Sequence, residues 1–165
     1  MKVLKLSLLL VAALGLFSCE KENENDNIKT ADWAKEIAGT YYGYSAVAFQ
    51  YVTIPIEKGD ETLVITAESE NTVTVTFEST TTNTPVFTIK GATVEYDNGR
   101  SGYMIQGTGT AVMGHAGNDE KTYDTTLSGI VMKNGTSKLA FSCPAVMGGM
   151  TVTFTEGSLP QSEEE

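Results

Sequence analysis

Hydrophobic and polar residues alternate along much of the chain after residue 40, which is the pattern of half-buried β-strands. In residues 72–78, Val73, Val75 and Phe77 share one face, and residues 151–155 repeat this alternation. Turn-forming residues separate further strands, which are predicted at 41–49, 62–67, 86–96, 103–113, 123–132 and 137–142. About eight strands with hairpin-length connections predict an all-β, antiparallel up-and-down barrel, because closure removes exposed strand edges.

Local signals refine this arrangement. Asn134-Gly135 is the clearest hairpin turn and is typical of type I′. Gly107 and Gly109 fall on one face of a strand, where a missing side chain permits strong coiling or close approach of another backbone. Lys90-Gly91-Ala92 interrupts a long strand and predicts a β-bulge. Weak strand formation would explain these glycines equally well. Residues 32–38 predict one short helix that ends before Gly39.

The first nineteen residues indicate where the protein resides. Twelve residues, 6–17, include a single polar one and follow a short basic start. Since a bilayer-spanning helix needs about 20 apolar residues, residues 1–18 are predicted to be a signal peptide. Leu16-Phe17-Ser18-Cys19 resembles the lipobox of bacterial lipoproteins, apart from the bulk of Phe17. The resemblance implies cleavage before Cys19 and a lipid on its sulfur that attaches the protein to a membrane. An ordinary signal peptide with an incidental cysteine is the alternative.

Residues 19–31 are predicted to form an acidic flexible tether, because 20–27 contain no hydrophobic residue that could join a core. In lipoproteins of gut-type Gram-negative anaerobes, a similar acidic run beside the acylated cysteine directs export to the outer face of the outer membrane. The resemblance implies a lipid-anchored outer-membrane protein that faces the cell exterior; as a mere spacer, the run would be compatible with the periplasmic face. Residues 159–165 predict a disordered acidic tail.

The formal net charge of −10 argues against binding partners that are themselves anionic. Nucleic-acid binding needs a basic stripe for the phosphates, and none is visible in the sequence. The same charge argues against electrostatic docking to anionic lipid. We therefore expect no nucleic-acid partner.

A family resemblance rests on two stretches of sequence and one glycine between them. Residues 37–43 (IAGTYYG) open the first strand, Gly129 lies in the sixth, and residues 149–157 (GMTVTFTEG) close the last. Over roughly residues 35–158 these resemble the calycin-like β-barrel lipoproteins, relatives of the lipocalins. The resemblance implies a calycin-like barrel domain at 32–158 with a short helix that caps one barrel end, where Trp33 would fill the cap. Gly-Thr-Tyr replaces the Gly-x-Trp of lipocalins, so lipocalin ligand preferences are not carried over.

Residues suited to catalysis are sparse. His115 is the only histidine and falls in a loop, and no Gly-x-Ser-x-Gly elbow is present. Cys143 is expected to be a small buried hydrophobe without a disulfide partner. Acidic pairs such as Asp60 and Glu61 lie at predicted turns, where charges are normally solvated. We expect no catalytic residue, no metal and no cofactor. Asp124-Thr125-Thr126 resembles an O-glycosylation acceptor of the same bacteria, although chance explains the match equally well.

The aromatic residues give the one positive indication of function. Tyr42 and Tyr44 share one strand face, Tyr41 and Phe49 share the other, and one of the two sets should line the barrel interior. An eight-stranded barrel is filled by side chains or holds one small ligand. The sequence therefore leaves two functions open. One is non-catalytic binding of a small apolar or amphipathic ligand, with candidate contacts Tyr42, Tyr44, Phe77, Phe141 and Phe154. The other is a structural or accessory surface subunit whose filled barrel binds a protein or glycan partner through its loops.

Overall fold

The computed structural model describes residues 31–51, 56–81, 84–113 and 120–160. A short helix, α1 (Trp33–Ile37), precedes eight strands. Each strand pairs antiparallel with the next, and β8 pairs with β1 to close a barrel. The strands are β1 (Gly39–Phe49), β2 (Ile56–Ala67), β3 (Thr72–Glu78), β4 (Val86–Asp97), β5 (Gly102–Met113), β6 (Lys121–Met132), β7 (Lys138–Cys143) and β8 (Met150–Glu156). The predicted eight-stranded up-and-down barrel is confirmed.

Burial follows the alternation of the sequence. In β3, Val73, Val75 and Phe77 are fully buried, whereas the threonines between them are half-buried on the outer face. The inward residues of all eight strands join a single hydrophobic core. The period-two pattern is therefore the physical cause of the barrel, since each strand can bury only one of its faces.

The end of the barrel where β1 begins is closed by α1 and is called the helix end. Asp32 caps the helix by accepting a hydrogen bond from Lys35 N at 3.2 Å. Ala34 and Ile37 are fully buried in the core, and Trp33 packs against it partly buried. The cap that the family resemblance assigns to Trp33 is thus composed chiefly of Ala34 and Ile37. This helix is too short to cross a bilayer, and no other described helix could do so.

A charged and aromatic contact fastens α1 to the barrel. The Tyr103 hydroxyl donates a hydrogen bond to the Glu36 carboxylate, and Lys133 Nζ lies 3.2 Å from the same group. The ammonium also lies 4.9 Å from the ring centre of Tyr96 and 5.2 Å from that of Tyr103. The hydrogen bond from Tyr103, assisted by Lys133, lowers the pKa of Glu36. These contacts hold the helix over the helix end.

Two predictions of local structure need correction. β2 begins at Ile56 rather than at residue 62, because the predicted break at Gly59-Asp60 is a bulge opposite β1 within a continuing strand, with Asp60 at φ 58°. The hairpin at Gly135 exists, but Asn134 does not adopt the positive φ that a type I′ turn requires; the connection is the longer segment 133–137.

The predicted irregularities in β4 and β5 are confirmed. Pairing shifts register around Gly91, which has φ 65°, so the segment beside Ala92 bulges. Gly107 lies across from this bulge, and a Cβ placed on it would come within 2.9 Å of the Ala92 Cβ. The glycine is required because β4 passes too close to admit a side chain.

Candidate functional site

Four phenylalanine rings occupy the centre of the barrel. Phe77, Phe87, Phe141 and Phe154 are all 0% exposed. Ring centres lie 4.7 Å apart for Phe87 and Phe141, 5.5 Å for Phe77 and Phe141, and 5.6 Å for Phe77 and Phe154. Such spacings are those of directly packed aromatic pairs. Phe77, Phe141 and Phe154 therefore point into the barrel, as predicted. Together with Phe87, their rings form a packed core.

The two tyrosines assigned to the interior lie on the outer wall, so that assignment was wrong. Gly43, Ser45 and Val47 are the buried residues of β1, which directs Tyr42 and Tyr44 outward. Tyr42 is 70% exposed. Gly43 must face inward because the Phe154 ring packs on it: a Cβ there would lie 2.8 Å from Phe154 Cζ.

A buried carboxylate, absent from the predicted sites, lies near the other end of the barrel. We call this the loop end; β1, β3, β5 and β7 end there. Glu61 is 0% exposed. Its Oε1 accepts hydrogen bonds from Ser45 Oγ at 2.9 Å and Ser79 Oγ at 2.8 Å. Thr80 N donates to both carboxylate oxygens, at 3.1 and 2.9 Å, and Thr80 Oγ1 lies 3.3 Å from Oε1. We call these four residues the Glu61 network.

The Glu61 network replaces solvent around a buried charge. An isolated buried carboxylate is strongly unfavourable, and hydrogen-bond donors are what offset that cost. Hydroxyls and an amide supply them here, and no salt bridge among the described residues involves Glu61. The network also ties the start of the 79–85 connection to β2. Its chemistry is that of a structural anchor.

Glu61 was predicted to lie in a solvated turn, and that prediction was wrong. Glu61 lies two and four residues before Leu63 and Ile65, which are buried in β2. Extending the period-two pattern backwards would have put its side chain on the inner face. Asp60 concealed this signal because Gly-Asp ordinarily marks the end of a strand.

The remaining predicted candidates do not converge on one centre. Cys143 is fully buried and free, as expected, and burial raises the pKa of its thiol. Among the residues that the structure describes, no three of the His, Cys, Asp and Glu side chains cluster closely enough to hold a metal ion. His115, Cys19, the signal peptide and residues 19–30 of the tether lie outside the described residues.

Thr125 is turned inward, contrary to what a glycosylation acceptor requires. It is 2% exposed, and its Oγ1 donates a hydrogen bond to the Ser142 carbonyl at 2.9 Å. In the folded barrel an enzyme cannot reach this hydroxyl. The match of Asp124-Thr125-Thr126 to an acceptor motif is thus without effect on the folded protein.

Open grooves mark the outer wall. One lies where β1, β7 and β8 meet below the 144–149 connection, and its lining includes Gln50, Ser142 and Thr151. A second runs beside Tyr42 and the bulge at Asp60. Outward-facing side chains and turns, rather than the phenylalanine core, supply most of these linings.

Comparison with known proteins places this geometry in a family. The model of the calycin-like beta-barrel domain matches residues 37–156. A search of curated proteins finds no match. The structure is similar to the crystal structure of a "putative outer membrane protein" from Bacteroides fragilis, with 26% identity and a TM-score of 0.62. That match covers 77% of this chain and 46% of the other protein, so this chain spans less than half of its length. The chain belongs to the calycin-like β-barrel domain family.

Proposed function

We propose that this protein is a non-catalytic lipoprotein of the cell envelope whose filled barrel is a rigid scaffold that meets its partner at the outer surface. The observation that carries the proposal is the packing of Phe77, Phe87, Phe141 and Phe154 across the barrel centre, all with 0% exposure. Their rings occupy the space in which a calycin-like barrel would hold a ligand. Recognition is therefore assigned to the wall and the connections.

The packed rings disfavour the alternative of a ligand inside the barrel. Deleting a phenylalanine from a packed core costs about 3–5 kcal/mol, which measures how strongly such a ring is held. An apolar ligand would have to displace at least one ring and recover that free energy from its own contacts. Tyr42 and Tyr44 were predicted to contact a ligand inside the barrel, but their side chains point away from the interior.

Two observations support a location in the cell envelope. The lipobox-like sequence ending at Cys19 and the acidic run after it are the features of a surface-exposed lipoprotein. The similar Bacteroides fragilis protein carries the name of an outer membrane protein. We place this protein on the outer membrane, with its lipid in the bilayer and its barrel facing the exterior.

A fluorescent fatty acid, 11-(dansylamino)undecanoic acid, tests the filled barrel. The full chain in a non-fluorescent detergent should give no saturable fluorescence change with this probe. Saturable binding that Phe77→Ala alters and Tyr42→Ala leaves unchanged would overturn the proposal, because it would locate the probe inside. Tyr42 is the matched control since it is an aromatic residue on the outer wall.

Metabolic labelling with an alkyne fatty acid tests the anchor. The protein should incorporate the label, and Cys19→Ala should abolish it. Equal labelling of both would refute attachment at Cys19. Proteinase added to intact cells should remove the barrel; degradation only after lysis would place it in the periplasm instead.

A further inference from the structure

The groove beneath the 144–149 connection differs in its chemistry from three other grooves on the described surface. It has a volume of about 340 Å³, which lies within the roughly 300–1,000 Å³ of small-molecule sites. Gln50, Ser142 and Thr151 contribute an amide and two hydroxyls to its lining, and Phe49 and Pro144 contribute apolar surface. It thus offers both hydrogen-bonding groups and a surface for C–H groups.

No described residue in this lining is ionisable. The chain as a whole, by contrast, has a formal net charge of −10. Three other surface grooves each contain charged residues: Asp60 and Glu61 in the first, Lys90 in the second and Asp124 in the third. A site for a charged partner would present complementary charge. This groove fits an uncharged one.

An exposed aromatic residue stands beside the groove. Tyr51 is 82% exposed, so most of its ring surface is open to contact with a partner. Its ring lies over Gly148 of the groove lining, where a Cβ would come within 3.1 Å of Tyr51 Cε2. Met147, next in the chain to Gly148, is 64% exposed. The rim is therefore an aromatic face above amide and hydroxyl groups.

The groove has a fixed backbone. Met147, Gly148 and Gly149 have φ values of 47°, 78° and 123°, and a methionine in the left-handed region is unusual. Gln50 N donates a hydrogen bond to Gly149 O, and Gly149 N donates one to Val146 O, both at 2.9 Å. Strained backbone that its surroundings hold in place is concentrated at binding sites. The absence of a side chain at Gly148 lets the Tyr51 ring pack directly on the main chain.

We propose that this groove binds a short segment of an uncharged glycan, with the Tyr51 ring against one sugar face and Gln50, Ser142 and Thr151 hydrogen-bonded to sugar hydroxyls. Neutral sugars carry no charge and combine C–H faces with many hydroxyls. They therefore match a lining without ionisable residues, an exposed aromatic ring, and nearby amide and hydroxyl groups. A protein partner buries roughly 800 Å² on each side, from about 20–30 residues. The lining of this groove has eight described residues, so it is smaller than a typical protein interface. The proposal deepens the proposed function and rests on it, because both place recognition outside the barrel.

Saturation-transfer difference NMR on the full chain in detergent micelles tests the proposal. The panel contains the neutral oligosaccharides maltohexaose, cellohexaose, xylohexaose and mannohexaose, together with the anionic oligogalacturonate and heparin oligosaccharides. At least one neutral oligosaccharide should bind, and the anionic ones should not. Tyr51→Ala should weaken that binding about tenfold or more, whereas Tyr42→Ala, the matched exposed tyrosine, should leave it within about twofold.

Three outcomes would overturn the proposal: no binding of any neutral oligosaccharide, preferential binding of the anionic ones, or equal affinity of Tyr51→Ala and the unchanged protein. A dimer in sedimentation velocity that Tyr51→Ala dissociates would assign the surface to a second copy of the chain instead. Saturable binding of the dansylated fatty acid that Phe77→Ala alters and Tyr42→Ala leaves unchanged would overturn the filled-barrel proposal alone. The failures of the two proposals are therefore distinguishable.

Discussion

Replacing Glu61 by alanine removes the acceptor that Ser45, Ser79 and Thr80 share. A buried donor left without a partner costs about 1–3 kcal/mol. Ser45 is 0% and Ser79 9% exposed, so both hydroxyls lose their partner away from water. They lie 3.3 Å apart and can partly pair with each other, and the amide of the exposed Thr80 can reach solvent. With the cost of burying the carboxylate also removed, we expect a net loss of about 2–4 kcal/mol in unfolding free energy.

Urea unfolding followed by circular dichroism measures this loss. Glu61→Ala should lower the transition midpoint without changing the m value. Glu57→Ala is the matched control, since Glu57 lies in the same strand but is exposed, and it should stay within about 0.5 kcal/mol of the unchanged protein. Equal stability of the two variants would refute the assignment of the Glu61 network as an anchor.

A triple variant separates the charge from the shape of the site. Glu61→Leu combined with Ser45→Ala and Ser79→Ala removes the acceptor together with its two buried hydroxyl donors. Replacing a whole buried polar set by apolar side chains is often neutral or stabilising. The triple variant should therefore regain most of the stability lost in Glu61→Ala. A triple variant less stable than Glu61→Ala would show that the loss came from packing instead.

Two further variants test the close strand contact at Gly43 and the hydrogen bond that holds α1 to the barrel through Glu36. Gly43→Ala would place a Cβ against the Thr155 carbonyl oxygen, so we expect it to lower the unfolding free energy by more than about 2 kcal/mol, measured by thermal unfolding. Gly39→Ala is the control, because a Cβ at Gly39 would have nothing within 4 Å. Equal melting temperatures of the two variants would contradict the close strand contact at Gly43. The pKa of Glu36 is lowered chiefly by the hydrogen bond from Tyr103. Because the folded pKa lies below the unfolded value of about 4.3, the stability from Glu36 is present above that pH and is lost as pH falls through the folded pKa. As the pH falls below the unfolded pKa, the unchanged protein should lose more unfolding free energy than Glu36→Gln. Parallel pH profiles of the two proteins would refute the contribution of this hydrogen bond.

The strands were predictable because each carries its own period-two pattern. The alternation in β3 identified both its bounds and its buried face without any knowledge of its neighbours. β1 was ambiguous, because tyrosines occupy both of its faces and hydrophobicity alone could not choose between them. The choice is made by Gly43, which faces inward only because Phe154, more than a hundred residues later, packs on it.

The features around the loop end depend on contacts between residues far apart in the sequence, which no local sequence pattern indicates. The Glu61 network joins residues from three segments through side-chain and main-chain hydrogen bonds. Polar residues such as Ser45 and Ser79 resemble ordinary turn or surface positions in the sequence. The groove below the 144–149 connection likewise combines Gln50 with Ser142 and Thr151, which barrel closure brings together. Pairing of β1 with β8 was implied by the barrel, but its register was not.

Native mass spectrometry of the protein purified from its own host tests most directly whether the barrel centre is filled by Phe77, Phe87, Phe141 and Phe154. The expected mass is that of the processed chain with its lipid at Cys19 and no further small molecule retained through gentle desolvation. A reproducible additional mass in the unchanged protein, lost in Phe77→Ala but retained in Tyr51→Ala and Tyr42→Ala, would place a ligand inside the barrel and contradict the filled scaffold.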